Sequence, residues 1–214
     1  MISILNGTKS NTIPLASTGS NQMSTISILG EEPVVKEVCV EPEGTIERAV
    51  RFMPLTLENL KLFWEKSRQF PTLFGEEISS DYKKFLNLIM HEGPNGIEIN
   101  GLFWVVDDFV GMYYMTEIEP GFDAQVHYSF FDRRQKGRVN LSKAMLHYAF
   151  EKYEFRRFSV EIPLFVSAMT LQFIQEVGFI KEGRKRKKAL YKGQWFDVSC
   201  YGLLREELKY GSKN

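Results

Sequence analysis

The residues best suited to chemistry lie in one stretch, Asp132-Arg133-Arg134-Gln135-Lys136-Gly137-Arg138-Val139-Asn140-Leu141. Upstream of it, Gln125 to Phe131 is aromatic-rich without a helical stripe, and it reads as a strand. Downstream, Leu141, Ala144, Met145 and Tyr148 recur at helical spacing. The stretch is therefore a strand-to-helix turn rich in Arg and Lys. Such a turn gathers free backbone N–H groups and the positive end of a helix dipole at one point. That arrangement binds pyrophosphate. Gly137 lets the backbone approach such a ligand with no side chain in the way. An ordinary solvated loop would show many of the same residues, so the surrounding elements bear on the choice.

The chain has 214 residues, room for one domain with a sizeable core plus an appendage. Lys and Arg number 27 and Asp and Glu number 27, so the net charge of zero demands neither nucleic acid nor membrane. Cys39 and Cys200 stand far apart, which gives neither a disulfide framework nor a zinc spacing. A reducing, cytoplasmic setting is expected. Met1 to Gly7 lacks the basic-then-apolar pattern of a secretory leader, and no apolar run is long enough to span a bilayer.

Residues 1–45 differ from the rest. Asn6 to Met23 is rich in Ser, Thr, Asn and Gly and has no period, so it reads as a flexible or partner-docking arm. Val34, Val35, Val38 and Val40 are β-formers with no evident partner. Globular order is expected from Ile46, over 46–214. A strand over Glu47 to Met53 precedes a helix capped by Thr56, with Leu57, Leu60, Phe63 and Trp64 as its apolar stripe. Pro71 to Gly75 breaks the pattern. Ser80 is expected to cap a second helix, and Gly93-Pro94-Asn95-Gly96 to stop it. Leu102 to Val106 turns at Asp107-Asp108 into Val110 to Met115 as an antiparallel hairpin. Pro120-Gly121 leads into Gln125 to Phe131. A helix over Asn140 to Tyr153, a strand over Arg157 to Ile162, a helix capped by Ser167 and closed by Gly178, and a hairpin turning at Lys192-Gly193 complete the order. Antiparallel runs around one βαβ crossover indicate an α+β domain with a mixed sheet.

From Ile46 to Leu208 this pattern resembles the GNAT N-acetyltransferase superfamily. Its acetyl-CoA motif, Q/R-x-x-G-x-G/A, is met at Arg134 and Gly137, with Val139 where Gly or Ala is usual. Ser167 takes the place of the family's Asn ahead of the helix ending in Gly178-Phe179. The segment from Gly178 through Trp195 to Leu204 is similar to the branch that includes ribosomal-protein Nα-acetyltransferases. The resemblance implies a GNAT-like, mostly antiparallel sheet flanked by helices, with two central strands splayed near Phe130 and Val160. It implies acetyl-CoA as co-substrate. The N–H groups of Gln135, Lys136, Gly137, Arg138 and Val139 would hold the pyrophosphate, and Arg133, Arg134 and Lys136 would add charge. The main chain of Phe130, Phe131 and Asp132 would run beside the pantetheine, with Ser167 also at the cofactor.

The implied reaction is direct attack of an amine on the thioester, which calls for positioning, a base and an acid. His127 and Glu161, on polar strand faces, are candidate bases; each could equally be a structural strand residue. Many family members carry an acidic Tyr where this chain has Ile174, leaving Ser167 or Tyr201 as candidate acids. Asp107, Asp108, Glu117, Glu119 and Asp123 could draw a cationic amine, or simply populate turns. Arg184-Lys185-Arg186-Lys187-Lys188 could meet an acidic protein, nucleic acid or the CoA 3′-phosphate, or form a solvated hairpin. It lacks interleaved aromatics, which weighs against nucleic acid. Two readings follow: an N-acetyltransferase for a primary amine of a protein or small molecule, or a catalytically weak GNAT-fold module docking a protein through its arm.

Overall fold

A computed structural model of the chain describes residues 14–15, 24–25, 33–41, 44–53, 56–70, 76–93, 96–99, 101–107, 109–131 and 137–210. In chain order these form β1 (Pro14–Leu15), β2 (Ser24–Thr25), β3 (Pro33–Glu41), β4 (Gly44–Phe52), α1 (Leu57–Ser67), α2 (Glu76–Ser80) and α3 (Tyr82–Ile89). There follow β5 (Met90–Gly93), β6 (Gly96–Ile99), β7 (Leu102–Val106), β8 (Gly111–Glu119), β9 (Asp123–Phe130) and α4 (Arg138–Tyr153). The last elements are β10 (Arg157–Pro163), α5 (Ala168–Val177), β11 (Ile180–Tyr191) and β12 (Gln194–Leu204).

Eight strands make one sheet in the order β11-β12-β10-β9-β8-β7-β4-β3. Its one parallel pair joins β9 and β10, the pair bridged by α4. The architecture is the expected mixed, mostly antiparallel α+β sheet. The valines of β3, which had no evident partner in the sequence, lie in a strand antiparallel to β4. The arm expected over Asn6 to Met23 falls outside the described residues apart from β1, as does the break at Pro71 to Gly75.

The helices take both faces of the sheet. β7 and β8 are buried along most of their length, as strands covered on two sides must be. Trp104, Tyr113, Met115, Ala124 and Val126 join Leu141, Met145, Phe150, Phe173, Ile174 and Val177 in the core under α4 and α5. Phe103, Met112 and Tyr114 point the other way and meet Leu60 and Phe63 of α1 and Phe85 and Ile89 of α3. Phe63 is fully buried and edge-on to Phe85, Phe103 and Tyr114. Each such burial contributes about 1.5–3 kcal/mol, so the central strands are fixed from both sides.

Two boundaries differ from the sequence reading. Thr56 caps α1 as expected, its hydroxyl accepting from Asn59 N–H at 3.2 Å. Ser80, however, ends α2, and Asp81 caps α3 by accepting from the N–H groups of Lys83 and Lys84 at 2.9 and 3.4 Å. A carboxylate can serve two of the orphan donors at once. Likewise Gly93 and Gly96 do not stop the helix. It ends at Ile89, where Met90 turns extended, and the two glycines pair at the tip of the β5–β6 hairpin.

Candidate functional site

β9 and β10 share a single register pair, Ser159–Gln125. β10 otherwise pairs along its length with β12, and β9 with β8. Past that one pair the two strands diverge toward their C-terminal ends, leaving a gap in the middle of the sheet. Alternation along each strand assigns the gap's two sides. Tyr128, Phe130, Val160 and Ile162 face α4 and α5. His127 and Glu161 share the opposite face, in register with Gln125 and Ser159.

On the α4/α5 side, Gly137 stands at the N-cap of α4 with φ 70 and ψ 0, a left-handed conformation that costs other residues about 1–2 kcal/mol. No side chain among the described residues caps this 16-residue helix. Its first-turn N–H groups, including those of Arg138 and Val139, therefore lack intrahelical acceptors. The helix start is tied to the sheet: Ser142 Oγ donates to the Arg138 carbonyl at 2.7 Å and lies 3.1 Å from the Tyr113 hydroxyl. The Arg138 guanidinium sits 5.3 Å above the Phe173 ring. Asp132, Arg133, Arg134, Gln135 and Lys136 lie outside the described residues.

The wall beyond is aromatic. Phe173 meets Tyr128 at 5.5 Å and Phe130 at 5.7 Å, both edge-on. Gly111 makes room for Phe130, since a Cβ there would lie 2.9 Å from its ring. Phe131 turns the other way, stacks near Phe70 at 5.7 Å, and spends its N–H on the Val110 carbonyl. An anion matches the uncapped start of α4 and Arg138, and an apolar arm matches the aromatic wall, so the residues present fit acetyl-CoA.

Across the sheet, His127 stacks on Tyr114 at 4.4 Å with rings 4° from parallel, and its Nε2 is 2.8 Å from Thr116 Oγ1. Burial pushes its pKa down to about 4, so the ring is neutral near pH 7 and a weaker base than a free imidazole. Glu161 accepts from Lys185 Nζ, 24 residues away. Asp123 is held between Arg157, at 3.5 Å, and its own desolvation, which raises its pKa overall.

The remaining candidates separate. Tyr201 lies opposite Val160 in the buried core on the α4/α5 face. Ser167 is exposed at the N-cap of α5, but its hydroxyl faces Thr170 Oγ1 at 3.3 Å and caps no backbone N–H. Ile174 is 1 % exposed and belongs to the core; Phe173 of α5 meets the rings of β9. Sequence reasoning passed over Tyr128. Its hydroxyl is buried with no hydrogen-bond partner among the described residues, and burial raises its pKa. The strand alternation that puts Phe130 on this wall also puts Tyr128 there.

The model of the acetyltransferase (GNAT) domain matches residues 79–199. The chain belongs to the GNAT acetyltransferase family. Solved structures share the fold. A spermidine N-acetyltransferase from Vibrio cholerae, in complex with CoA and spermine, is 16% identical with a TM-score of 0.58, over 75% of this chain and 97% of that one. A chimera of the Vibrio cholerae and human spermidine enzymes is 15% identical with a TM-score of 0.59, over the same shares. A probable acetyltransferase is 19% identical with a TM-score of 0.52, over 74% of this chain and 94% of that one. No curated protein matches the chain. No helix among the described residues is long and apolar enough to cross a membrane.

Proposed function

We propose that this GNAT protein is an acetyl-CoA-dependent N-acetyltransferase acting on a primary amine. The observation that carries the reading is the gap between β9 and β10, joined by one pair, beside the uncapped start of α4. Acetyl-CoA, when bound, supplies an activated acetyl thioester. Residues 135–139 hold its pyrophosphate through backbone N–H groups, with Arg138 adding charge. Tyr128, Phe130 and Phe173 exclude water along the apolar arm. The acceptor amine enters from the face of His127 and Glu161, and one of these takes its proton. Ser167 and Tyr201 remain the candidate donors of the sequence reading, and Tyr128 joins them because its hydroxyl is otherwise unused. The resemblance to ribosomal-protein Nα-acetyltransferases and the spermidine-enzyme neighbours support the amine class, and the acceptor within it is either a polypeptide or a small amine.

A second reading is a GNAT-fold binding module with little or no turnover. The core position of Ile174 favours it, because the side chain offers no proton and is buried among apolar residues. Isothermal titration with acetyl-CoA, followed by turnover on a panel of primary amines, separates the two. Binding with turnover on one amine is expected. Binding with none supports the module, and no binding removes both cofactor assignments.

A further inference from the structure

The β11–β12 hairpin runs past the end of β10, whose last register pair is Pro163–Val198. Its distal part, Arg186 to Phe196, therefore projects beyond the end of the sheet at which the gap opens. Phe165 fixes it there, stacking on Tyr191 at 4.4 Å and edge-on to Phe196 at 5.3 Å. The charges of the hairpin fall into two groups. Nearer the sheet two cations have an acid: Arg184 pairs with Asp197 at 2.7 Å, and Lys185 pairs with Glu161. From Arg186 to Phe196 there are four cations, Arg186, Lys187, Lys188 and Lys192, and no carboxylate. All four are exposed. Lys192 lies over the Tyr191 ring; none of the four side chains forms an ion pair among the described residues, although Asp197 accepts from the Lys187 N–H at 2.9 Å and feels its charge. Beside them Leu190 and Trp195 are 53% and 56% exposed, and a shallow depression of about 580 Å³ is lined by Lys187, Gly193, Gln194, Trp195 and Phe196.

Lysines on an edge strand often serve only to discourage pairing with another sheet. That role needs no exposed Trp and Leu. We propose that this hairpin end docks an acidic polypeptide segment, with an apolar side chain against Trp195, and that the same polypeptide presents the acceptor amine to the gap. The proposal rests on the acetyltransferase reading for its second half. Charge complementarity carries the first half. Of the acceptor-side carboxylates, Glu161 is matched by Lys185 and Asp123 by Arg157, while Glu117 and Glu119 are exposed. A polypeptide is favoured over nucleic acid because it carries a primary alkyl amine.

The test is fluorescence anisotropy of the full-length protein, without acetyl-CoA, against three probes. These are a Glu/Leu-containing peptide with a free N-terminus and a C-terminal label, its Gln/Leu counterpart, and a single-stranded oligonucleotide. The acidic peptide should bind at least about tenfold more tightly than the neutral one and weaken with salt. Arg186→Glu with Lys188→Glu should remove that preference, and the milder Arg186→Gln with Lys188→Gln should reduce it. Equal affinity for both peptides, indifference to both variants, or tighter binding of the oligonucleotide would overturn the proposal. Acetylation is then measured separately with spermidine and with each peptide. An acidic peptide that binds but is not acetylated, while spermidine is, overturns the acceptor half. If no amine is acetylated, the acetyltransferase reading fails, and the docking surface stands on its binding data.

Discussion

On the α4/α5 side of the gap the lining is a backbone turn and a wall of rings, whereas on the far side it is an imidazole and paired charges. The first side fits a ligand by shape and by N–H groups that have no intrahelical acceptor because a helix begins there. On the second side Glu161 and Asp123 have each found a cation. In the proposed function the labour divides accordingly: one side holds an anionic co-substrate, and the other meets an amine with these two carboxylates already paired.

The strongest way to break this comparison is at Gly137. Gly137→Asp adds strain of about 1–2 kcal/mol at a positive φ and places a carboxylate where an anion is to bind. Acetyl-CoA affinity should fall by about a hundredfold or more, corresponding to about 2.7 kcal/mol, while far-UV circular dichroism stays that of a folded protein. Unchanged affinity in a folded variant would show that the start of α4 holds no cofactor.

Next in size is Ile174→Tyr. The sequence position suggests that a hydroxyl there would supply a missing acid. The side chain lies instead in the core with 1 % exposure. Extra atoms in a packed core typically cost about 1–3 kcal/mol, so thermal unfolding should move down with no gain in turnover. A stable and faster variant would mean that α5 turns a different face to the gap. Tyr128→Phe is the companion change. Its hydroxyl has no partner among the described residues, so its removal should leave stability unchanged or slightly higher, and any loss of turnover would mark that hydroxyl as functional.

His127 sharpens the comparison through pH. Its pKa falls from 6.5 to about 4 on folding, so between those values the unfolded chain binds the extra proton. Its contribution is fully present above about 6.5 and is lost as pH falls toward 4, at most about 3 kcal/mol and less for the part of the ring that water reaches. Denaturant titrations should show His127→Phe losing less stability than the parent over that window. Parallel curves would mean that the ring is solvated. If His127 is also the base, the limb it produces in a rate profile lies near pH 4 rather than near 7.

The central fold was legible because β7 and β8 are near-continuous apolar runs bounded by turn residues, and the turn at Gly137 announced itself by composition. Part of what escaped is local: the valines of β3 pair with adjacent β4, Glu41 opposite Gly44, and no signal distinguished Ser80 from Asp81 as the cap. The rest depends on contacts distant in sequence. The orientation of Ile174 follows from how α5 rolls on the sheet. The neutralisation of Glu161 comes from a lysine two elements away.

That last pair supplies the smallest expected effect and the finest test of the acceptor side. Lys185 is half exposed, and Glu161 keeps 23% of its surface. A pair this open contributes about 0–1 kcal/mol, so Lys185→Met should hardly move thermal unfolding. The carboxylate nevertheless holds the Lys185 ammonium above its usual pKa through their hydrogen bond, and losing that partner leaves Glu161 uncompensated at the edge of the gap. If Glu161 is the base, Glu161→Gln should lower turnover strongly, and Lys185→Met should change it far less, since the carboxylate stays and only its partner is lost. If Glu161 only anchors β11 to β10, both variants should keep the parent's turnover, and the base must be sought at His127 or in solvent.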